Sequence, residues 1–286
     1  MSNNSLLKTF IVAIGVCAVC ATLVSTANVV LRPIIEQNKL DFKRGNIVLA
    51  AGLVEPGYKA SDIAPAFEKI DPQVYDLLKD EFVTNADKFN PATFDERLMM
   101  NQDGYTLVPE GEVKPGVPTV PRYVTIYLVK DKDGNLERVV LPFFGKGLWS
   151  TMYGFIALNK DMTTVERLLY YDQLETAGLG GEVENPIWAD KWIGKKAYDE
   201  SGKTALTVIK GTVDPSDKNA AYKVDGISGA TLTCRGVNNQ IGYWLNEYRG
   251  LLAQLKAGQI PQESKVVCAE KASTPASDDN SKGGAK

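Results

Sequence analysis

Residues 9–31 read TFIVAIGVCAVCATLVSTANVVL, 23 consecutive positions without a charge. As a helix this stretch extends about 34 Å, enough to cross a hydrocarbon core of roughly 30 Å. It therefore reads as a transmembrane helix, with residues 1–8 as a short segment in front of it. The alternative is a cleaved signal peptide with Ser25, Thr26 and Ala27 as its cleavage site. Its apolar core, at about 17 residues, is longer than the usual signal core of about 7–15. Lys8 precedes the span, while Arg32, Lys39, Lys43 and Arg44 follow it. By the positive-inside rule that charge distribution leans toward a cytoplasmic body. Cys17 and Cys20 form a C-x-x-C inside the span and read as small apolar residues facing lipid. Cys234 and Cys268 are the other two cysteines, so no disulfide framework exists, and a single bridge between them stays open.

The chain contains no histidine, which excludes Ser-His-Asp and Cys-His nucleophile sites and imidazole-based metal centres. A net charge of -3 gives no reason to expect nucleic acid as a partner. The acidic turn at residues 131–135 lacks the ligand spacing and terminal Glu of a calcium loop, and no metal site is expected.

Beyond the span, residues 32–43 continue the helix out of the membrane, and residues 52–57 break it. Ser61 and Asp62 cap a short helix through Ile63, Phe67 and Ile70. Asp71 and Pro72 start a second one through Val74, Leu77 and Leu78, since proline suits a first helical turn. Residues 101–121 are loop. Residues 122–130 and 136–141 form a hairpin, residues 153–158 and 165–171 two further strands, and residues 203–212 a fifth. After Thr231, apolar residues recur at three and four positions (Val237, Ile241, Trp244, Leu245, Tyr248, Leu251, Leu252, Leu255), one face of a long helix that Gly258 and Pro261 end. The expected organisation is a transmembrane helix at 9–31, an α+β domain at 32–262 with mainly antiparallel sheet and flanking helices, and a disordered tail at 263–286.

Three glycine-rich segments could hold a ligand. The first is Gly145, Lys146, Gly147, Leu148, Trp149 and Ser150, directly after a strand. The second runs from Glu175 through Thr176, Ala177, Gly178, Leu179, Gly180 and Gly181 to Glu182. The third, residues 225–231, leads through Ser228, Gly229 and Ala230 into Thr231 and the long helix. A helix start offers N–H groups without partners and partial positive charge, a favourable place for phosphate. The third segment lacks the Gly-Lys-Ser/Thr ending of a Walker loop and the G-x-G-x-x-G of a Rossmann unit. Ser228 can equally be a plain N-cap and Thr231 a first-turn surface residue.

Ser228-Gly229-Ala230-Thr231 resembles the S/T-G-A-T flavinylation motif of FMN-binding domains. Residues 175–180 resemble their E-T-P-G-L-G loop, with Ala177 in place of proline, and residues 145–150 resemble their G-x-G-L-W segment. With the N-terminal span, residues 1–262 resemble the C subunits of sodium-translocating NADH:quinone reductases. That resemblance implies an electron-carrier protein relaying electrons from NADH toward quinone, with FMN held covalently through its phosphate on Thr231. It implies cofactor contacts at Ser228, Gly229, Ala230, Glu175, Thr176, Gly178, Leu179, Gly180, Gly147, Leu148 and Trp149. Thr233 is a less favoured attachment site. The implied partners are other membrane subunits, a flavin transferase during maturation and lipid. The implied location is the inner membrane, single-pass, with the flavin domain on the periplasmic face, against the charge count. The G subunits of Rnf-type ferredoxin:NAD complexes, which share both flavin motifs, are the alternative. A non-redox membrane-anchored binding module is a second.

Overall fold

The computed structural model describes residues 3–83, 89–91 and 94–260, with side chains from Leu7 onward. The expected tail and Cys268 lie outside them. In chain order the elements are α1 (Asn3–Ala50), α2 (Ala60–Phe67), β1 (Ile70–Asp76), β2 (Glu81–Phe82), α3 (Glu96–Met99), β3 (Thr106–Leu107), β4 (Val120–Pro121), β5 (Tyr123–Lys130), β6 (Leu136–Lys146), β7 (Thr151–Asn159), β8 (Val165–Asp172), α4 (Pro186–Ala189), β9 (Thr207–Val208), β10 (Lys223–Val224), α5 (Thr231–Glu247) and α6 (Arg249–Lys256). The fold is α+β, with an apolar N-terminal helix ahead of a mainly antiparallel sheet.

Among the described residues, six strands form the main sheet in the order β2-β1-β5-β6-β7-β8, every pairing antiparallel. Both faces are covered. Val124, Ile126 and Leu128 of β5 and Met152, Ile156 and Leu158 of β7 point into a core completed by α5 and α6. The alternate residues Tyr127, Val129, Phe155 and Ala157 pack beneath Ile47, Val48, Ala50 and Ala51 at the end of α1. Period-two alternation thus serves two cores instead of one core and solvent.

The sequence pattern and the fold part company at several places: the expected loop at 101–121 holds β3 and β4, and α2 starts at Ala60 with Lys59 as its N-cap, ahead of Ser61 and Asp62. Residues 71–78 are not a helix: Ile70–Asp76 is a strand in register with β5 over seven positions. Pro72 is the third residue of this strand, opposite Tyr127 of β5, and the register runs through it without a shift. The strand expected at residues 136–141 runs on through Pro142 to Lys146. Pairing with β5 ends at Val140, so the missing N–H of Pro142 faces no strand partner. The carbonyls freed beyond that point are taken up by α5 and its C-cap residue: Tyr248 Oη donates to Pro142 O (2.7 Å) and Trp244 Nε1 to Phe144 O (2.7 Å). The strand expected at residues 203–212 shrinks to Thr207–Val208, parallel to β10. There the Asn238 side chain of α5 accepts from Val208 N (2.7 Å) and donates to Val208 O (2.8 Å), occupying the backbone groups a longer ladder would use. Finally, the long C-terminal helix divides at Tyr248 into α5 and α6.

α1 is one continuous helix of 48 residues, longer than the span and stem expected from sequence, and it includes Pro33. It is the one helix among the described residues long and apolar enough to cross a membrane. Its last turns fix the domain's orientation. The Phe42 ring lies 6.4 Å from Tyr171 near the end of β8. Ten residues later a Cβ on Gly52 would lie 3.0 Å from Glu166 near the start of β8. α1 therefore runs antiparallel to β8, and the loop that leaves β8 points back along α1 toward its apolar half.

Candidate flavin site

The site forms where the β6–β7 turn, the segment after β8 and the start of α5 converge. The turn at residues 147–150 is closed by Gly147 N donating to Ser150 O (2.8 Å). It presents three successive backbone N–H groups to one carboxylate. Glu175 Oε1 accepts from Trp149 N (2.8 Å) and Ser150 N (3.2 Å), and Oε2 accepts from Leu148 N (3.0 Å). Oε2 also accepts from Thr233 Oγ1 (2.6 Å), 58 positions away in the chain. Glu175 is buried, which would raise its carboxyl, but donation from the Thr233 hydroxyl and the turn's N–H groups holds it below the ordinary glutamate range.

Two of the glycines are explained by this carboxylate. A Cβ on Gly147 would lie 2.7 Å from Glu175 Oε1, and one on Gly180 would lie 2.6 Å from Thr233 Oγ1 and 3.0 Å from Glu175 Oε2. Gly178 is different: its φ of +75° needs glycine, yet a Cβ there would meet open space. Trp149 Nε1 donates to Thr176 Oγ1 (3.2 Å), tying the first segment to the second. Leu179 lies over the third, since a Cβ on Gly229 would come within 2.8 Å of its Cδ2.

The third segment is a tight turn. Ala230 N donates to Ile227 O (3.2 Å) around Ser228 and Gly229, and Gly229 takes the positive φ (+73°) that the third position of such a turn demands. Asp225 anchors its entry: Oδ2 accepts from Lys191 Nζ (2.7 Å), Oδ1 from Val213 N (2.8 Å), and its carbonyl from Trp188 Nε1 (2.8 Å). The N-cap position is Ala230, not Ser228, and no side chain caps α5. Thr231 stands exposed at the first helical position, whereas Thr233 is buried and committed to Glu175.

Sequence reasoning named the three segments but not the bond between Glu175 and Thr233 that joins them. Nothing local in either residue signals a partner so distant in the chain. The arrangement fits a flavin nucleotide. An uncapped helix start lies beside an exposed hydroxyl and the exposed apolar side chains of Trp149, Leu148, Leu179 and Leu232, of which Trp149 is 66% exposed. A phosphate would satisfy the first, and a flat aromatic ring would cover the others.

Geometry of this kind defines a flavin-binding module, and residues 147–246 match the FMN-binding domain family. The C subunit of the Na(+)-translocating NADH-quinone reductase of Yersinia pestis is 41% identical over 86% of this chain and 91% of its own length. Its counterpart in Pseudomonas aeruginosa is 38% identical over 90% and 99%. The crystal structure of Shewanella oneidensis NqrC superimposes with a TM-score of 0.69 at 32% identity, covering 77% of this chain and 99% of that one. The chain belongs to the family of C subunits of Na(+)-translocating NADH-quinone reductases.

Proposed function

We propose that the protein carries electrons within a sodium-translocating NADH:quinone reductase, on the path from NADH toward quinone, through FMN esterified by its phosphate to Thr231. The observation that carries this reading is the uncapped start of α5, with the Thr231 hydroxyl exposed beside Trp149, Leu148 and Leu179. Bound FMN supplies reversible one- and two-electron chemistry. The chain supplies the rest. The first N–H groups of α5 and the helix dipole meet the negative charge of the phosphodiester. Ser228, Gly229 and Ala230 form the turn that lets backbone approach the phosphate, and Thr176, Gly178 and Gly180 shape the opposite wall. The apolar side chains exclude water from the ring face.

Residues 9–31 span the inner membrane in this reading, surrounded by lipid and by other subunits. Residues 1–8 precede the span, and residues 32–262 form the flavin domain on the periplasmic face, where a flavin transferase reaches Thr231. The antiparallel packing of α1 on β8 supports a membrane-side electron partner, because it turns the flavin segments back toward the span. Intact mass of the full-length protein from its native host tests the attachment: the expected result is the chain plus FMN minus water, with peptide mapping placing the addition on Thr231. An unmodified mass, or an addition at Thr233, overturns it.

A further inference from the structure

Glu175 is a cofactor contact by sequence resemblance, yet its geometry is that of a residue with no capacity to spare. A carboxylate offers about four lone-pair positions. Trp149 N, Ser150 N, Leu148 N and Thr233 Oγ1 donate to its two oxygens. Gly147 and Gly180 close around it so tightly that a methyl group on Gly147 would strike Glu175 and Met152, and one on Gly180 would strike Thr233 and Glu175. Three ionisable side chains near it have partners of their own: Lys146 Nζ donates to Trp149 O, Asp172 pairs with Arg97, and Glu182 accepts from Asn185.

We propose that Glu175 is a positioning residue of the flavin site, its carboxylate fixing the turn that presents Trp149 relative to the helix start that presents Thr231, without touching the flavin. This rests on the reading that Thr231 carries FMN. The physics is that of an anion nest: three successive N–H groups converge on one negative charge and hold it in one orientation. The fourth donor, Thr233, belongs to the first turn of α5. One carboxylate thus sets the distance between the ring-facing turn and the phosphate-facing turn. Glutamine cannot replace it, because its NH2 group would point at N–H donors. Aspartate is one methylene too short to reach from the same backbone. Valine at 233 keeps the shape of threonine and removes one donor, leaving the three backbone bonds.

The test uses the full-length chain purified in detergent from its native host, as wild type and as Glu175→Gln, Thr233→Val and Thr233→Ser. Three quantities are read: the peptide mass at Thr231, the visible circular dichroism of the flavin, and its midpoint potential. Glu175→Gln is expected to retain FMN on Thr231 while its visible circular dichroism falls to about half or less and its potential shifts, as a site with a loosened support should. Thr233→Val should move both readings in the same direction by less, and Thr233→Ser should restore wild-type values. Wild-type dichroism and potential in Glu175→Gln would overturn the proposal and leave Glu175 as packing alone. If Glu175→Gln fails to fold or to take up FMN, Thr233→Val decides: readings equal to wild type overturn the proposal. Wild-type protein without FMN on Thr231 would instead overturn the attachment reading.

Discussion

Thr231 and Thr233 stand two positions apart on one helix in opposite surroundings. Thr231 is exposed, and Thr233 is 1% exposed and donates to Glu175. Thr231→Ala is expected to abolish the covalent flavin while changing stability by no more than about 1 kcal/mol. Intact mass and a thermal melt check both halves. Ser228 lies outside the N-cap, so Ser228→Ala should alter stability by less than about 0.5 kcal/mol, not by the ~1 kcal/mol of a lost cap. The glycines separate in the same way. Gly180→Ala forces a methyl group onto Thr233 and Glu175 and should cost about 1–3 kcal/mol. Gly178→Ala meets open space and carries only the left-handed backbone penalty, about 1 kcal/mol. Denaturant melts of the pair distinguish the two causes.

Glu175 also gives a pH dependence. Its folded-state carboxyl titrates below the ordinary glutamate range, so the folded form binds fewer protons there than the unfolded chain. Its stabilisation is complete above the ordinary glutamate pKa and is lost as pH falls through the depressed one. The stability gap between wild type and Glu175→Gln should therefore be widest near neutrality and close on acidification. A gap that stayed constant with pH would show that the charge contributes nothing.

At the scale of elements, the functional site depends on β6 outlasting its pairing with β5. Past Val140 the strand is held on one side by β7 and on the other by side chains of α5 and its C-cap. Trp244 and Tyr248 are both fully buried. Tyr248→Phe removes the donor to Pro142 O, and Trp244→Phe the donor to Phe144 O. Each should cost about 1–3 kcal/mol, since each leaves a backbone carbonyl without its partner. Because β6 ends at the turn carrying Trp149, both substitutions should also increase the exchange rate of the amide protons at 148–150, measured by hydrogen–deuterium exchange.

At the scale of the molecule, α1 joins span and domain without a break. Its last turns are buried under the sheet, and Lys43 reaches Glu96 of α3 (3.5 Å) while Arg44 stacks on Phe67 (5.3 Å). Two of the four positive charges that follow the span are thus part of the folded domain's packing. We expect the domain to lie on the periplasmic face despite the charge count. Asp133→Cys in the exposed β5–β6 turn, in a Cys268→Ser background, should react with a membrane-impermeant maleimide in intact spheroplasts. Labelling only after the membrane is breached would put the domain in the cytoplasm and vindicate the positive-inside rule.

The sequence by itself determined what is set by local chemistry. An uncharged run of 23 residues specifies a helix that can span a bilayer, because no other arrangement satisfies so many apolar side chains and backbone groups at once. The turn at Ser228 and Gly229 and the helix after Thr231 follow from glycine's access to positive φ and from apolar spacing along one face. Tertiary structure decided the rest. Ile70–Asp76 became a strand because β5 offered seven backbone partners, outweighing the helix-start preference of Asp71 and Pro72. β6 passed through Pro142 because side chains from α5 and its C-cap took the carbonyls on its freed edge. Glu175 ties the turn at residues 148–150 to the start of α5, because the donors that fill its oxygens come from residues 25 to 58 positions away. Local rules see preferences over a few residues. A hydrogen bond that closes across the fold exists only once both ends have been brought together.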